Sequence, residues 1–220
     1  MKDSLIGSAS KPEIGDYDSA IDFNDPKIKF IVKYAVAKSV LDLGCVQHNP
    51  ENYKSKYWLH RALKKVASSL QGVDLYEDGV NYLNQLGFSV RAGDVQNLNI
   101  GQKYDLIVAG DLIEHLDNFR GFFLSVDDQL SKDGKLIITT PNPWYWRNII
   151  KAIISPEVSN NEEHTCWICL RTLRQLAARF NFKILEFKFG SRYKKDLYMP
   201  LPSRLKNTSL FVILARNNDI

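Results

Sequence analysis

The stretch SVLDLG at residues 39–44 is a short apolar run that ends in an aspartate and a glycine. Such a run is typical of a buried strand that reaches a tight turn. Apolar residues at helical spacing precede it over 26–37 and follow it over 57–68. A strand between two helices predicts the repeating unit of a parallel sheet that is covered on both faces.

The alternation of strands and helices continues towards the C-terminus. Four further apolar segments of strand length follow, at 72–75, 88–94, 104–110 and 135–141. Helices are predicted between them at 77–86 and 119–130, and more loosely at 145–154 and 170–180. The last two strands, 182–190 and 209–216, are separated by a short basic loop. They predict an antiparallel pair at the edge of the sheet.

The length of 220 residues is sufficient for one substantial domain. Residues 1–25 are polar and mixed, and we expect a flexible N-terminal arm there, followed by a single domain over 26–220. The start of the chain lacks an apolar signal core, and no run of 18 apolar residues occurs. With only three cysteines, the sequence predicts a cytoplasmic protein without a membrane span.

The charge balance is mildly basic, with 29 Lys and Arg against 25 Asp and Glu. A net charge of +4 makes a nucleic-acid partner unlikely on electrostatic grounds. Much of the excess lies late in the chain, at Lys183, Lys188, Arg192, Lys194, Lys195, Arg204 and Lys206. We interpret it first as a solvated face and second as a rim for an anionic substrate.

Acidic residues follow four of the predicted strands, at Asp42, Asp74, Asp94 and Asp111. Aspartates cap helices, and capping alone could account for any one of them. Ligands of open parallel sheets bind outside the carboxyl ends of the strands, so a set of four favours a ligand with several donors. A ribose diol on Asp74, an adenine amino group near Asp94 and an ammonium group near Asp111 would fit that pattern. Glu114 and His115 follow within one turn.

Five ordered segments carry a family resemblance: VLDLGC at 40–45, GVDLYEDGVNYLNQLGF at 72–88, AGDVQNL at 92–98, YDLIVAGDLIEHLDN at 104–118 and LSKDGKLIITTPNP at 130–143. Together they resemble class I S-adenosylmethionine-dependent methyltransferases, in the branch that modifies small molecules and glycans. The resemblance implies an α/β, doubly wound Rossmann-like sheet of seven strands. Its order would be 3-2-1-4-5-7-6, with strand 7 antiparallel.

The resemblance places Asp42, Gly44 and Cys45 in the first glycine-rich loop, beside the methionine moiety of S-adenosyl-L-methionine. The family loop usually runs Asp-x-Gly-x-Gly-x-Gly, whereas Val46 and His48 stand at the second and third glycine positions here. A β-branched residue does not readily adopt positive φ. We therefore expect the loop to take another path, and a degenerate site is the alternative.

The remaining cofactor contacts implied by the resemblance lie along the same edge of the sheet: Asp74 at the ribose hydroxyls, Leu75 on the adenine face, Asp94 and Val95 at the adenine edge, and Asp111 and Leu112 beneath the sulfonium. The acceptor pocket would be built mainly from residues 144–205. Trp144, Tyr145 and Trp146 could form its wall or pack beneath a lid.

Methyl transfer requires no metal, but an oxygen nucleophile gains from a base. Of the four histidines, His164 is the first candidate and His115 the second, while a structural role for each stays open. Cys166 and Cys169 form a C-x-x-C without the second pair that a structural zinc site needs. The sequence therefore predicts ordinary thiols and no metal ion.

The function predicted is S-adenosylmethionine-dependent O-methylation of a small molecule or saccharide. One alternative is a nicotinamide-dependent oxidoreductase, although the first loop lacks G-x-G-x-x-G. The other alternative is an inactive scaffold of the same fold, prompted by the departures at Val46 and His48.

Overall fold

The computed structural model describes residues 21–47, 49–155, 158, 161–191 and 193–217. Seven strands form one sheet in the order β3-β2-β1-β4-β5-β7-β6. The strands are β1 (Ser39–Leu43), β2 (Ser69–Asp74), β3 (Val90–Ala92), β4 (Tyr104–Gly110), β5 (Leu130–Pro141), β6 (Phe182–Gly190) and β7 (Ser209–Arg216). Strands β1 to β5 are parallel, and β7 pairs antiparallel with both β5 and β6. The predicted order and the antiparallel seventh strand are confirmed.

Within the described part of the chain, eight α-helices connect or flank the strands: α1 (Pro26–Ala35), α2 (Leu59–Val66), α3 (Glu77–Gln85), α4 (Phe119–Gln129), α5 (Trp146–Ile154), α6 (Leu170–Arg179), α7 (Lys194–Leu197) and α8 (Ser203–Lys206). Three 3-10 helices, Pro50–Lys54, Val95–Asn97 and Ile113–His115, lie in loops after strands. The last of these 3-10 helices lies just after the end of β4. None of the described helices is long and apolar enough to cross a membrane.

Several boundaries differ from those that the sequence predicts. Strand β2 begins at Ser69 instead of residue 72, and β3 is reduced to Val90–Ala92. Strand β5 begins at Leu130, so the predicted turn at 133–134 lies within a strand that has an irregular register opposite β4. Turn residues therefore occur here inside a distorted strand, which periodicity alone does not reveal.

Side-chain alternation divides the core between the two faces of the sheet. Leu41 and Leu43 of β1 lie in a cluster that includes Phe122 and Phe123 of α4. Val40 faces the other way and packs in a cluster with residues of α1 and α2. Both faces of the parallel strands are thus covered, and ligands have access at the ends of the strands.

Part of the predicted N-terminal arm belongs to the folded domain. Asp25 is buried and caps α1, because its Oδ1 accepts hydrogen bonds from the backbone N–H groups of Lys27 and Ile28. Pro26 occupies the first helical position, where no N–H is needed. The backbone N–H of Asp22 also donates to Lys56 O at 2.9 Å. Residues 1–20 of the arm lie outside the described part of the chain.

Candidate active site

The loop after β1 follows a path of its own. Gly44 has a φ of +73°, and a Cβ there would meet Leu112 Cδ1 at 3.0 Å. The second positive φ, +57°, falls on Gln47 instead of Val46. Val46 is 1% exposed and packs in a small core with Cys45. The loop therefore has no positive φ at the β-branched Val46. His48 lies outside the described residues.

Asp42 is paired with a histidine of α2. Its Oδ2 lies 2.9 Å from Nδ1 of His60, and both side chains are buried. Gly72 of β2 leaves room for this pair, since a Cβ there would lie 2.9 Å from His60 Cε1 and 2.7 Å from Cys45 Sγ. Burial raises the pKa of the Cys45 thiol, and the charges of Asp42 and Asp74 raise it further. Cys45 is therefore a neutral packing residue.

Asp74 joins the end of β2 to the loop after β1. Its Oδ2 accepts a hydrogen bond from Val46 N at 2.8 Å, and its Oδ1 accepts one from Tyr76 N at 3.0 Å. Each carboxylate oxygen has a second lone pair, so these bonds leave capacity for a ligand hydroxyl. The neighbouring Leu75 side chain is 73% exposed. An exposed leucine beside a partly buried carboxylate leaves an apolar and an acidic surface side by side.

Asp94 caps the 3-10 helix Val95–Asn97. Its exposed carboxylate accepts a hydrogen bond from Gln96 N at 2.8 Å, while the Val95 side chain is buried. Asp94 therefore acts as a helix cap in its contacts within the protein, which is one of the two interpretations of the strand-end aspartates.

Asp111 stands at the end of β4 in a left-handed conformation, with a φ of +51°. Its Oδ2 accepts a hydrogen bond from Lys27 Nζ at 2.7 Å, and its Oδ1 accepts one from Thr139 Oγ1 at 2.8 Å. A non-glycine residue at positive φ is strained and persists where its surroundings hold it. The Leu112 side chain that follows reaches Gly44, so the ends of β1 and β4 meet here.

A second polar group lies after β4. Glu114 is 2% exposed, and neither of its carboxylate oxygens has a hydrogen-bond partner within the described part of the chain. Burial raises the pKa of Glu114 to about 8, and the charge of Asp111 contributes to the rise, while Thr140 and Lys27 act in the opposite direction. A carboxyl group in such surroundings is typical of functional sites.

The two histidines predicted as catalytic candidates are brought together at this point. The rings of His115 and His164 are edge to face, with centroids 4.8 Å apart. Thr165 fixes this arrangement, because its N and Oγ1 donate to Glu114 O at 2.9 and 3.0 Å and its Oγ1 also donates to Leu116 O. His164 is thereby held against the turn that follows β4.

A cleft of about 980 Å³ opens beside Asp111. Lys27, Tyr145, Arg147 and Ser191 are among its lining residues. Burial raises the pKa of Tyr145 to about 12, and the hydrogen bond that its hydroxyl donates to Asp196 raises it as well. The Tyr145 hydroxyl therefore stays protonated and connects α5 to α7.

Sequence reasoning identified the aspartates and both histidines but missed their partners. His60 and Lys27 pair with Asp42 and Asp111, and neither pairing was predicted. Glu114 was noted in the run DLIEHL without a role. Its position between the apolar residues Ile113 and Leu116 was a signal that the side chain could be buried. Cys166 and Cys169 are free thiols.

The fold is shared with solved S-adenosylmethionine-dependent methyltransferases. A methyltransferase from Archaeoglobus fulgidus superposes with a TM-score of 0.62 and 17% identity, over 86% of this chain and 91% of that one. Magnesium protoporphyrin IX methyltransferase from Synechocystis PCC 6803 superposes with a TM-score of 0.61 and 14% identity, over 86% and 82% of the two chains. At these identities the likeness concerns the fold.

The sequence matches the methyltransferase domain family over residues 19–186, and the chain belongs to that family. A curated relative, (S)-coclaurine N-methyltransferase from Thalictrum flavum subsp. glaucum, is 26% identical over 100 residues. The matched segment spans 46% of this chain and 28% of that relative. Membership of the methyltransferase domain family favours S-adenosylmethionine chemistry over the nicotinamide-dependent alternative.

Proposed function

We propose that the protein transfers the methyl group of S-adenosyl-L-methionine to a hydroxyl oxygen of a small molecule or saccharide. The observation that carries this proposal is the convergence of His115, His164 and the buried Glu114 after β4, close to the point where Leu112 approaches Gly44 at the end of β1. A hydroxyl is a weak nucleophile, and it gains from groups that orient it and receive its proton.

The residues along the strand ends fit the cofactor that the family implies. Asp74 has lone pairs available for ribose hydroxyls, and the exposed Leu75 offers an apolar surface to adenine. Gly44 carries no side chain where the loop after β1 approaches Leu112. These features support a nucleoside lying across the ends of β1 and β2.

The other implied contacts lie on either side of these residues. Asp94 is exposed at the end of β3 and can accept from an amino group, while Val95 is buried behind it. Asp42 and Cys45 are buried and shape the loop from within. Asp111 and Leu112 border the side towards β4.

When bound, the cofactor supplies an electrophilic methyl carbon on a positively charged sulfur. The acceptor oxygen attacks that carbon as the carbon–sulfur bond breaks, and the hydroxyl proton leaves. The role of the protein is to align the two reactants and to exclude water. His164, with His115 beside it, is the group that we expect to act on the hydroxyl.

The cleft beside Asp111 is the proposed acceptor pocket. His115 and His164 are not among its lining residues. Asp111, whose charge acts on Glu114, connects the cleft to the turn that carries His115. Tyr145, Asn148 and Ser191 are among the residues that line the cleft, and their position within 144–205 supports this proposal. Arg147, Lys151 and Lys195 make part of its rim basic. This composition suits a polar acceptor with hydroxyl groups and some negative charge, such as a small acidic metabolite or a saccharide.

A binding experiment separates this function from the inactive scaffold. Calorimetry with S-adenosylhomocysteine should show saturable binding, and NAD should not bind. Absence of S-adenosylhomocysteine binding by the folded protein would support the scaffold. Labelled methyl transfer into metabolite and glycan extracts then identifies the acceptor.

The position of the methyl group in the product decides between an oxygen and a nitrogen acceptor. The name of the curated relative refers to N-methylation, so an amine product is the contrary outcome. His164→Ala should lower turnover about 100-fold or more while sparing S-adenosylhomocysteine affinity. A turnover equal to that of the wild type would remove His164 from the mechanism.

A further inference from the structure

Glu114, His115 and His164 form a compact set of potential metal ligands. One ligand atom of each residue can be chosen so that all three lie within 4.8 Å of one another. Because each metal–ligand bond is about 2.0–2.2 Å long, two ligands of one ion are at most about 4.4 Å apart and ordinarily about 3–3.5 Å apart. The three side chains would therefore rotate slightly towards one another when they bind an ion. The three residues come from two segments, the 3-10 helix Ile113–His115 and the loop before α6.

The backbone holds this set in place independently of the three side chains. Thr165 donates to the carbonyl oxygens of Glu114 and Leu116, which anchors the loop that carries His164. Metal sites that bind without large rearrangement need ligands supported in this way. The convergence of the two imidazoles and the carboxylate is therefore built into the fold.

A second observation favours a bound cation at Glu114. The Glu114 side chain is almost wholly buried, and both of its oxygens lack a hydrogen-bond partner among the described residues. Buried carboxylates are ordinarily hydrogen-bonded, paired or bound to a metal. The nearby ammonium group of Lys27 is already bonded to Asp111 at 2.7 Å.

We propose that Glu114, His115 and His164 bind one divalent first-row transition-metal ion. Two imidazoles with one carboxylate favour ions such as Mn²⁺, Fe²⁺, Co²⁺ or Zn²⁺ over Mg²⁺ and Ca²⁺, which prefer oxygen ligands alone. The sequence by itself predicts no metal, because the only motif with metal-like spacing is the incomplete C-x-x-C. His164 is also far along the chain from the run DLIEHL, so the sequence does not indicate that the three residues meet. The proposal departs from that prediction.

The ion would have open coordination positions. Three protein ligands leave room for water or substrate, as in catalytic metal sites. Both histidines are only partly buried, so each keeps some contact with solvent. If the proposed O-methylation is correct, on which this step rests, His115 and His164 would hold the ion instead of taking the proton themselves. The ion would bind the acceptor oxygen and lower the pKa of its hydroxyl group, and the proton would pass to solvent.

Metal binding is measured on the full chain after removal of metal with a chelator. Equilibrium dialysis against Mn²⁺ or Zn²⁺ with elemental analysis gives the stoichiometry, and Co²⁺ provides an absorption spectrum of the bound ion. We expect one ion per chain for the wild type. We expect at least tenfold weaker binding for Glu114→Gln and for His164→Ala, each of which removes one ligand.

Glu163→Gln is the matched control, because it removes an exposed carboxylate one residue from His164. It should bind the ion as the wild type does. Circular dichroism and S-adenosylhomocysteine affinity verify that each variant is folded. The metal site would be overturned if the folded wild type bound no stoichiometric ion, or if Glu114→Gln and His164→Ala both bound the ion as tightly as the wild type does.

The metal site and the proposed methyl transfer can be rejected independently of each other. An ion bound by the three residues without transfer to any hydroxyl would keep the site and reject the proposed reaction. Undiminished O-methylation by chelated protein that binds no ion would keep the reaction and reject the site.

Discussion

Two regions at the same edge of the sheet differ in how the carboxylates they contain are hydrogen-bonded. At the ends of β1 and β2, Asp42 is paired with His60, and Asp74 accepts from the Val46 and Tyr76 amides. At the turn after β4, Glu114 is buried with no hydrogen-bond partner for its oxygens among the described residues. The first region is internally satisfied, whereas the second requires a proton or a ligand.

This difference distinguishes carboxylates that fix the shape of the crevice from a carboxyl group that is available for chemistry. The bonds of Asp74 fix the loop after β1, so they determine the shape of the crevice in which a cofactor would lie. The unsatisfied Glu114 has no comparable architectural role, and it lies next to both candidate catalytic histidines. Buried polar groups without partners lower stability, and they are tolerated where function needs them.

The largest expected effect concerns the pH dependence of stability at Glu114. In chelated protein, the folded state keeps the Glu114 proton up to about pH 8, whereas the unfolded state loses it near the ordinary value of 4.5. The free energy of unfolding should therefore fall as pH rises between these values. The fall is on the order of 4–5 kcal/mol at about 1.4 kcal/mol per pKa unit.

Urea unfolding at pH 5 and pH 8 measures this slope. Glu114→Gln should lack it, and the exposed control Glu163→Gln should retain it. If the free energy of unfolding of Glu114→Gln depended on pH as that of the wild type does, Glu114 would not be the source of the pH dependence.

The next effect concerns the pair at the end of β1. Asp42→Ala leaves the buried His60 ring without its partner, so we expect a loss of about 3 kcal/mol in the free energy of unfolding. Asp42→Asn keeps an oxygen near His60 and should lose less. Chemical denaturation at neutral pH checks both, and a loss below about 1 kcal/mol for Asp42→Ala would show that the pair is not structural.

Asp74 tests whether a satisfied carboxylate also serves a ligand. Asp74→Ala should weaken S-adenosylhomocysteine binding by about 1.5–3 kcal/mol, because it removes charge-assisted hydrogen bonds to the ribose. Asp78→Ala, an exposed change on α3, is the control. Unchanged affinity in calorimetry would mean that the ribose lies elsewhere.

The smallest expected effect is that of Asp94. Asp94→Ala removes the cap of the 3-10 helix Val95–Asn97 and should cost about 0.5–1 kcal/mol of stability. Asp94→Ser can still cap and should restore most of that stability. If Asp94 also contacts adenine, both variants weaken cofactor binding. Stability and calorimetry measured together separate the two roles.

Much of the fold could be predicted from short sequence windows. The alternation of apolar strands with helical patterns indicated the parallel sheet, and the family resemblance implied its order, which the structure confirms. The short helices α7 and α8 and the irregular start of β5 were missed. Their local signals are weak, and tertiary contacts decide them.

The site was predicted less completely than the fold. The sequence identified both histidines because candidate bases are few, and it identified the aspartates because they follow strands. It did not find that Asp111 would bond to Lys27, which is 84 residues away, or that Glu114 would be buried beside His164. Such partners depend on how separate elements pack.

The amino-acid sequence by itself determined the sequence of strands and helices, because side-chain periodicity and turn residues act over a few neighbouring positions. Only the tertiary structure decided which carboxylates are satisfied and which is left unpartnered. Hydrogen bonds and burial join residues that are distant along the chain, and their effect depends on the three-dimensional surroundings of each group.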